Sequence, residues 1–153
     1  MKLSINISHD LSVEQDIPYQ TFITNLFITK SKNMKTILVV DDSPAELDMM
    51  IAYLTQAGYK IVSANNGEDA LAKIIADKPD AVVTDWMMPK MGGLDICRKL
   101  KKNPETADIP VVACTAKNRD VDRMWANKQG VNGYVTKPCT QNELVDAVKK
   151  LIG

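Results

Sequence analysis

Three aspartates follow short apolar runs of the sequence, and their residue type and placement suit metal and phosphate chemistry. Asp41 and Asp42 come directly after Ile37-Leu-Val-Val40, and Asp85 closes a second run that begins with Ala81-Val-Val83. Clustered carboxylates repel one another, which raises the pKa of at least one of them unless a cation neutralises the charge. All-oxygen ligands with room for water suit Mg²⁺, which commonly takes one or two carboxylates and then phosphate oxygens. The three aspartates therefore predict a magnesium site if folding gathers them.

A hydroxyl group and an ammonium group lie at the ends of two further predicted strands. Thr115 closes the apolar run that begins at Ile109, and Lys137 follows Gly133-Tyr-Val-Thr136. Each of the five residues alone also fits a structural role, as a helix cap or a surface charge. Because all five are predicted to lie at the carboxyl ends of strands, their combination favours a functional site.

The chemistry that these groups permit is narrow. The charges of three carboxylates, one Mg²⁺ and Lys137 cancel, and an acyl phosphate on one aspartate adds about one negative unit. Mg²⁺ and Lys137 would then bind the phosphoryl oxygens, and the Thr115 hydroxyl can donate to one of them. An aspartate carboxylate is a known nucleophile, and phosphoryl transfer depends mostly on positioning and charge stabilisation. Such a site needs no histidine base.

Alternating strand and helix patterns from Thr36 onwards must position these residues. The predicted strands span residues 37–40, 60–64, 81–83, 109–115 and 133–136, and a helical pattern follows each of them. Regular alternation implies parallel strands, with helices on both faces and right-handed crossovers. We therefore predict one doubly wound α/β domain over residues 34–153, in which all strands present their carboxyl ends at one edge.

Local signals delimit the helices. Ser43-Pro44-Ala45-Glu46 predicts a capping box with proline at the first helical position, Gly58 ends that helix, and Thr140 to Glu143 is a second capping box. On the second helix, the side chains predicted to face inward are Leu71, Ile74 and Ile75. The fourth helix, predicted over 120–129, carries Val121, Met124 and Trp125. Trp125 fits core packing and an anchor for a partner protein equally well.

Composition excludes several classes of function. The 19 basic and 19 acidic residues balance, which argues against binding nucleic acid or an anionic membrane by bulk charge. Three cysteines without CxxC spacing indicate neither a disulfide framework nor a zinc site, and fit a reducing compartment. No apolar stretch approaches the roughly 18 residues of a membrane span, so we expect a cytoplasmic protein without membrane insertion.

Residues 1–33 differ in composition from the rest of the chain. They are rich in Ser, Thr, Asn and Ile, and show no sustained helical period. Two short alternating stretches predict either a small β arm or an unstructured tail. We expect an N-terminal extension to which no function is assigned.

Over their whole length, residues 34–153 resemble a bacterial response regulator receiver domain of the CheY type. The resemblance implies a flavodoxin-like sheet with strand order 2-1-3-4-5. It also implies that Asp85 is the phosphoacceptor, and that Asp41, Asp42 and Asp85 bind Mg²⁺ together with the backbone carbonyl of Met87. An apolar side chain at Met87, where the chemotaxis protein has a polar one, predicts slow self-dephosphorylation.

The same resemblance assigns the remaining site residues. Thr115 is the switch hydroxyl, Tyr134 the switch aromatic, and Lys137 the phosphate-pairing lysine, with a cis bond to Pro138. The expected phosphodonor is a sensor histidine kinase or a phosphotransfer protein. Because only one helix follows Lys137, we expect a single-domain regulator, a monomer or weak dimer, that signals through helix four, strand five and helix five. Residues 123–137 are similar to twitching-motility regulators of the PilH kind, which implies a role in type IV pilus motility or taxis.

Three other functions are open to such a chain. A flavodoxin-like flavin carrier needs a hydroxyl- and glycine-rich phosphate loop after the first strand, where Asp41-Asp42-Ser43-Pro44 would repel a phosphate. An aspartate-dependent phosphatase usually has a second acid two residues after its nucleophile, and that spacing is missing. A phosphate sink that drains a kinase without a downstream target has the same sequence features as a signalling receiver.

Overall fold

The structure is a computed structural model that describes residues 34–153. Within this range, five strands alternate with five helices. In chain order the elements are β1 (Thr36–Val40), α1 (Pro44–Gln56), β2 (Lys60–Ala64), α2 (Gly67–Asp77), β3 (Ala81–Thr84), α3 (Gly93–Lys102), β4 (Val111–Thr115), α4 (Asp120–Lys128), β5 (Gly133–Thr136) and α5 (Gln141–Ile152). The strands form one parallel sheet in the order β2-β1-β3-β4-β5. The predicted fold class and strand order are confirmed, and the predicted N-terminal arm lies outside the described residues.

The sheet register aligns the ends of its central strands. Val40, the last residue of β1, pairs with Thr84, the last residue of β3. Asp41 and Asp85 therefore leave neighbouring strands side by side. In the same way β4 and β5 end together, with Thr115 as the last residue of β4. The topology thus brings residues that are far apart in sequence to one edge of the sheet.

Apolar side chains cover both faces of the sheet. Ile37 and Val39 point into one core cluster, and Leu38 and Val40 point into the other. Helices α1 and α5 close the first cluster, while α2, α3 and α4 close the second. Double burial explains why these strands are continuous apolar runs rather than alternating ones.

The inward face of α2 differs from the prediction. Ala70 and Ile74 are buried and Leu71 is half-buried, but Ile75 is exposed, so its predicted inward orientation was wrong. Successive helical residues point about 100° apart, and a core stripe through positions i and i+4 leaves the next residue facing solvent.

Helix α4 packs on the core through a small residue. Ala126 is its buried side chain, whereas Val121, Met124 and Trp125 are all exposed. The guanidinium of Arg98 lies over the Trp125 ring, 5.9 Å from its centroid. The core-packing interpretation of Trp125 was therefore wrong, and a role as a partner anchor stays a prediction.

The two predicted capping boxes have different outcomes. At α5, Thr140 Oγ1 accepts from Glu143 N–H at 3.1 Å, and Glu143 Oε1 accepts from Thr140 N–H at 2.8 Å, as predicted. At α1, Ser43 Oγ accepts from Glu46 N–H at 3.5 Å, but the reciprocal bond does not form. Asp41 Oδ1 takes the Ser43 N–H instead, at 2.9 Å. The Glu46 carboxylate is therefore available for another contact.

Candidate functional site

Three aspartates form an acidic cluster at the carboxyl edge of the sheet. The N–H of Asp85 donates to Val40 O at 2.9 Å, and the N–H of Asp41 donates to Ala64 O at 3.2 Å, so sheet-like hydrogen bonding extends one residue beyond the strands. Asp41 and Asp85 are buried, while Asp42 is exposed. One carboxylate oxygen from each of the three lies within 4.8 Å of the others. The structure therefore brings together the three acids that the sequence singled out.

The donor set of this cluster fits a magnesium ion. Mg²⁺ prefers oxygen ligands at about 2.1 Å in octahedral geometry, so two of its ligands stand at most about 4.2 Å apart. The three carboxylate oxygens lie within 4.8 Å of one another, which is close to that spacing. The exposure of Asp42 leaves one side of the cluster open to water and to a phosphate group.

Lys137 supplies the positive charge of the site. Its ammonium donates to Asp41 Oδ2 at 2.6 Å and lies 3.3 Å from Asp85 Oδ2 and 2.5 Å from Glu46 Oε1. Its side chain is only 12% exposed. Burial by itself would lower the pKa of Lys137, but the hydrogen bonds to Asp41 and Glu46 and the charge of Asp85 raise it above its usual value. Lys137 is therefore a permanent cation beside the acidic cluster.

The environment of Asp85 disfavours its charged form. Burial raises the pKa of the Asp85 carboxyl, and the nearby charge of Asp41 adds to the rise. The N–H of Met87, which donates to Asp85 Oδ1 at 3.1 Å, and the ammonium of Lys137 oppose it in part. A cation bound at the cluster would favour ionised Asp85.

Thr115 and Tyr134 both bind the backbone of Lys117, in the loop between β4 and α4. Thr115 Oγ1 accepts from Lys117 N–H at 3.3 Å, and Tyr134 O–H donates to Lys117 O at 2.8 Å. Thr115 is fully buried, and its carbonyl accepts from Lys137 N–H at 2.8 Å. The Arg123 guanidinium lies 4.7 Å from the centroid of the Tyr134 ring. One loop residue thus connects the threonine at the site with the aromatic residue on β5.

The remaining predicted positions lie around the cluster. Met87 follows Asp85 by two residues and is 58% exposed. The peptide bond between Lys137 and Pro138 is cis. Among the described residues, no helix is long and apolar enough to cross a membrane.

Sequence reasoning missed three residues that support the site. Glu46 was predicted only as a helix cap, yet its carboxylate contacts Lys137. Thr84 is buried, and its hydroxyl donates to Asp85 O at 3.0 Å. A Cβ atom added to Gly93 would lie 2.6 Å from the same carbonyl oxygen. The Gly-Gly pair after the loop was a usable signal for close backbone approach, whereas the contacts of Glu46 and Thr84 depend on the tertiary structure.

Known proteins are similar to this chain in both sequence and fold. The response regulator receiver domain family matches residues 37–149. PilH of Pseudomonas aeruginosa is 37% identical over 119 residues, which cover 78% of this chain and 98% of PilH. The phosphate regulon transcriptional regulatory protein PhoB of the same organism is 37% identical over 118 residues, which cover 77% of this chain and 52% of PhoB. The structure of a chemotaxis response regulator of Vibrio cholerae has a TM-score of 0.74 at 25% identity, covering 78% of this chain and all of that one.

Proposed function

This chain belongs to the response regulator receiver domain family, and on that premise we propose that Asp85 accepts a phosphoryl group from the phosphohistidine of a sensor kinase or phosphotransfer protein. The observation that carries the proposal is the position of the Asp85 carboxylate. It lies in the acidic cluster with Asp41 and Asp42, and 3.3 Å from the Lys137 ammonium. A carboxylate so placed can react with an anionic donor once positive charge balances the cluster.

The transfer itself needs few groups. A carboxylate oxygen of Asp85 forms the new O–P bond while the P–N bond of phosphohistidine breaks, and the bonding electron pair leaves with the imidazole. When bound by the three aspartates and the carbonyl of Met87, Mg²⁺ supplies positive charge beside the phosphoryl oxygens. Lys137 binds these oxygens as a second cation. The Thr115 hydroxyl, which accepts from Lys117 N–H, still has its own proton to donate to one of them.

The shared contact with Lys117 supports a switch that leads from the site to the surface. Movement of Thr115 toward the phosphoryl group would weaken its bond to Lys117, and the same loop residue holds the Tyr134 hydroxyl. Tyr134 would then be free to reorient, with consequences for α4, β5 and α5. Coupling of this kind typically amounts to about 1–3 kcal/mol, enough to change the affinity for a downstream protein.

The similarity to PilH supports a role in type IV pilus motility or taxis. Balanced charge supports an output through contact with a protein rather than with nucleic acid. Cys97, Cys114 and Cys139 are all unpaired and buried, which fits the reducing cytoplasm. We propose a cytoplasmic signalling protein whose only reactions are its own phosphorylation and slow dephosphorylation.

Mass spectrometry tests the proposal directly. The wild-type protein is incubated with acetyl phosphate and Mg²⁺ beside Asp85→Asn, and the modified peptide is located. We expect one acid-stable, base-labile phosphoryl adduct on Asp85 and none in the variant. A wild-type protein that stays unlabelled by acetyl phosphate and by phosphorylated kinases, or an equally labelled variant, would contradict the proposed function.

A further inference from the structure

Three carboxylates surround the ammonium of Lys137 at unequal distances. Glu46 Oε1 and Asp41 Oδ2 lie 2.5 Å and 2.6 Å from Nζ, whereas Asp85 Oδ2 lies 3.3 Å away. Glu46 is in the first turn of α1 and takes no part in a reciprocal cap, because Asp41 binds the Ser43 N–H. The Glu46 side chain is thus directed at the lysine rather than at its own helix end.

We propose that Glu46 is a positioning residue that restrains Lys137 in the unphosphorylated site and loosens its hold when Asp85 is phosphorylated. The inference rests on the proposed function, since it concerns the lysine that would bind the phosphoryl group. A phosphoryl group on Asp85 would offer the ammonium anionic oxygens in addition to the carboxylates that it already contacts, and the contact with Glu46 is the more exposed of its two short contacts. The side chain of Glu46 is 43% exposed, while that of Asp41 is fully buried.

The charge of Glu46 should affect Mg²⁺ binding and phosphorylation in opposite directions. Glu46 adds a further negative charge beside the acidic cluster, which attracts Mg²⁺ and repels an anionic phosphodonor. It also holds Lys137 back from the acceptor, which favours metal binding and disfavours phosphorylation. Loss of the Glu46 charge should therefore weaken Mg²⁺ binding and accelerate phosphorylation at saturating Mg²⁺. General damage to the site would lower both the Mg²⁺ affinity and the rate of phosphorylation.

The test compares Glu46→Gln with Asp48→Asn. Both substitutions remove one negative charge from α1, but Asp48 is exposed and is not among the carboxylates that contact Lys137. Mg²⁺ affinity is measured from the change in tryptophan fluorescence on titration with Mg²⁺, since Trp86 is buried directly after Asp85 whereas Trp125 is exposed on α4. The rate of phosphorylation by acetyl phosphate is measured at saturating Mg²⁺. Urea midpoints close to that of the wild type establish that both variants are folded.

We expect Glu46→Gln to bind Mg²⁺ about twofold to fivefold more weakly and to be phosphorylated faster by a similar factor, the range expected for a partly exposed ion pair. Asp48→Asn should change either quantity by much less. Equal effects of the two substitutions, or a loss of both affinity and rate in Glu46→Gln, would overturn the inference. A wild-type protein that stays unlabelled would instead refute the proposed function, and with it the loosening of the contact between Glu46 and Lys137 on phosphorylation. The Mg²⁺ affinities would still decide whether Glu46 restrains Lys137 in the unphosphorylated site.

Discussion

Substitution of Lys137 by methionine tests how far the ammonium group stabilises the folded protein by balancing the carboxylates of the site. Lys137 contacts Asp41, Asp85 and Glu46 from a position that is only 12% exposed. Methionine keeps most of the aliphatic volume but removes the ammonium group. Without it, the fully buried carboxylate of Asp41 keeps the N–H of Ser43 and loses its ion pair.

The expected cost follows from the burial of the partners. Breaking a buried ion pair by removing one partner typically costs about 3–5 kcal/mol. The lower end, about 3 kcal/mol, applies to Lys137→Met because Glu46 is partly exposed and Asp41 retains a hydrogen bond. Total stabilities of domains are about 5–15 kcal/mol, so a loss of this size is easily measured.

The assay is urea unfolding in EDTA and again in Mg²⁺. Bound Mg²⁺ stabilises a folded protein by about 2.7 kcal/mol at one hundred times its dissociation constant. In Lys137→Met the ammonium no longer opposes the metal, so we expect Mg²⁺ to stabilise this variant more than the wild type and to restore part of the loss. Lys78→Met is the matched control, because the pair between Lys78 and Glu105 spans 3.0 Å with both side chains more than half exposed. Its cost should stay below about 1 kcal/mol.

Two results would refute the reasoning about Lys137. A loss in EDTA no greater than that of Lys78→Met would mean that the buried contacts contribute little net stability. A loss that Mg²⁺ leaves unchanged would mean that the lysine and the metal do not balance the same charges.

Three further predictions concern Asp85, Met87 and Gly93. Burial raises the pKa of Asp85, so without metal the folded state keeps the carboxyl proton of Asp85 to a higher pH than the unfolded chain does. The contribution of Asp85 to stability is therefore complete at low pH and is lost as pH rises through the raised pKa. In EDTA at pH 7, Asp85→Asn should therefore be more stable than the wild type by on the order of 1 kcal/mol, and the difference should vanish near pH 4. Gly93→Ala places a Cβ 2.6 Å from Asp85 O, and it should lower the free energy of unfolding by about 1–3 kcal/mol and slow phosphorylation. Met87→Asn should shorten the lifetime of the phosphorylated protein about tenfold, the effect of roughly one positioned hydrogen bond to the attacking water.

Each of these predictions has its own control. For Asp85→Asn, Mg²⁺ should reverse the order of stability, and an unchanged order would contradict the proposed role of Asp85 in metal binding. For Gly93→Ala the control is Gly58→Ala, where nothing lies within 4 Å and only the positive φ is strained, so its phosphorylation rate should equal that of the wild type. For Met87→Asn the control is Ile75→Asn on the exposed face of α2, and equal lifetimes in both variants would contradict the prediction for Met87.

The strand and helix order and the acidic edge were predictable because local patterns determine them. Strands that are buried on both faces need continuous apolar runs, and such runs precede Asp41 and Asp85. The capping box of α5 depends on residues only three apart, and it forms as predicted. The strand order came from the resemblance to receiver domains, whose motifs extend over the whole described chain.

The orientation of individual helix faces was not predictable to the same degree. Apolar periodicity on α2 allowed two adjacent stripes, and packing against the sheet selected the one through Ala70 and Ile74 rather than Ile75. On α4 the core accepts only the small side chain of Ala126, so the larger apolar residues of that helix face solvent.

Only the tertiary structure determines what Glu46 does. From the sequence, its carboxylate has a good local partner in the N–H of Ser43. In the fold, Asp41 takes that N–H, and Lys137, which is 96 residues from Asp41, comes within reach of Glu46. The sequence alone determined which chemical groups stand at the ends of the strands. Which group binds which partner was decided by sheet topology, because competition for a donor is resolved only when all the competing acceptors are present together.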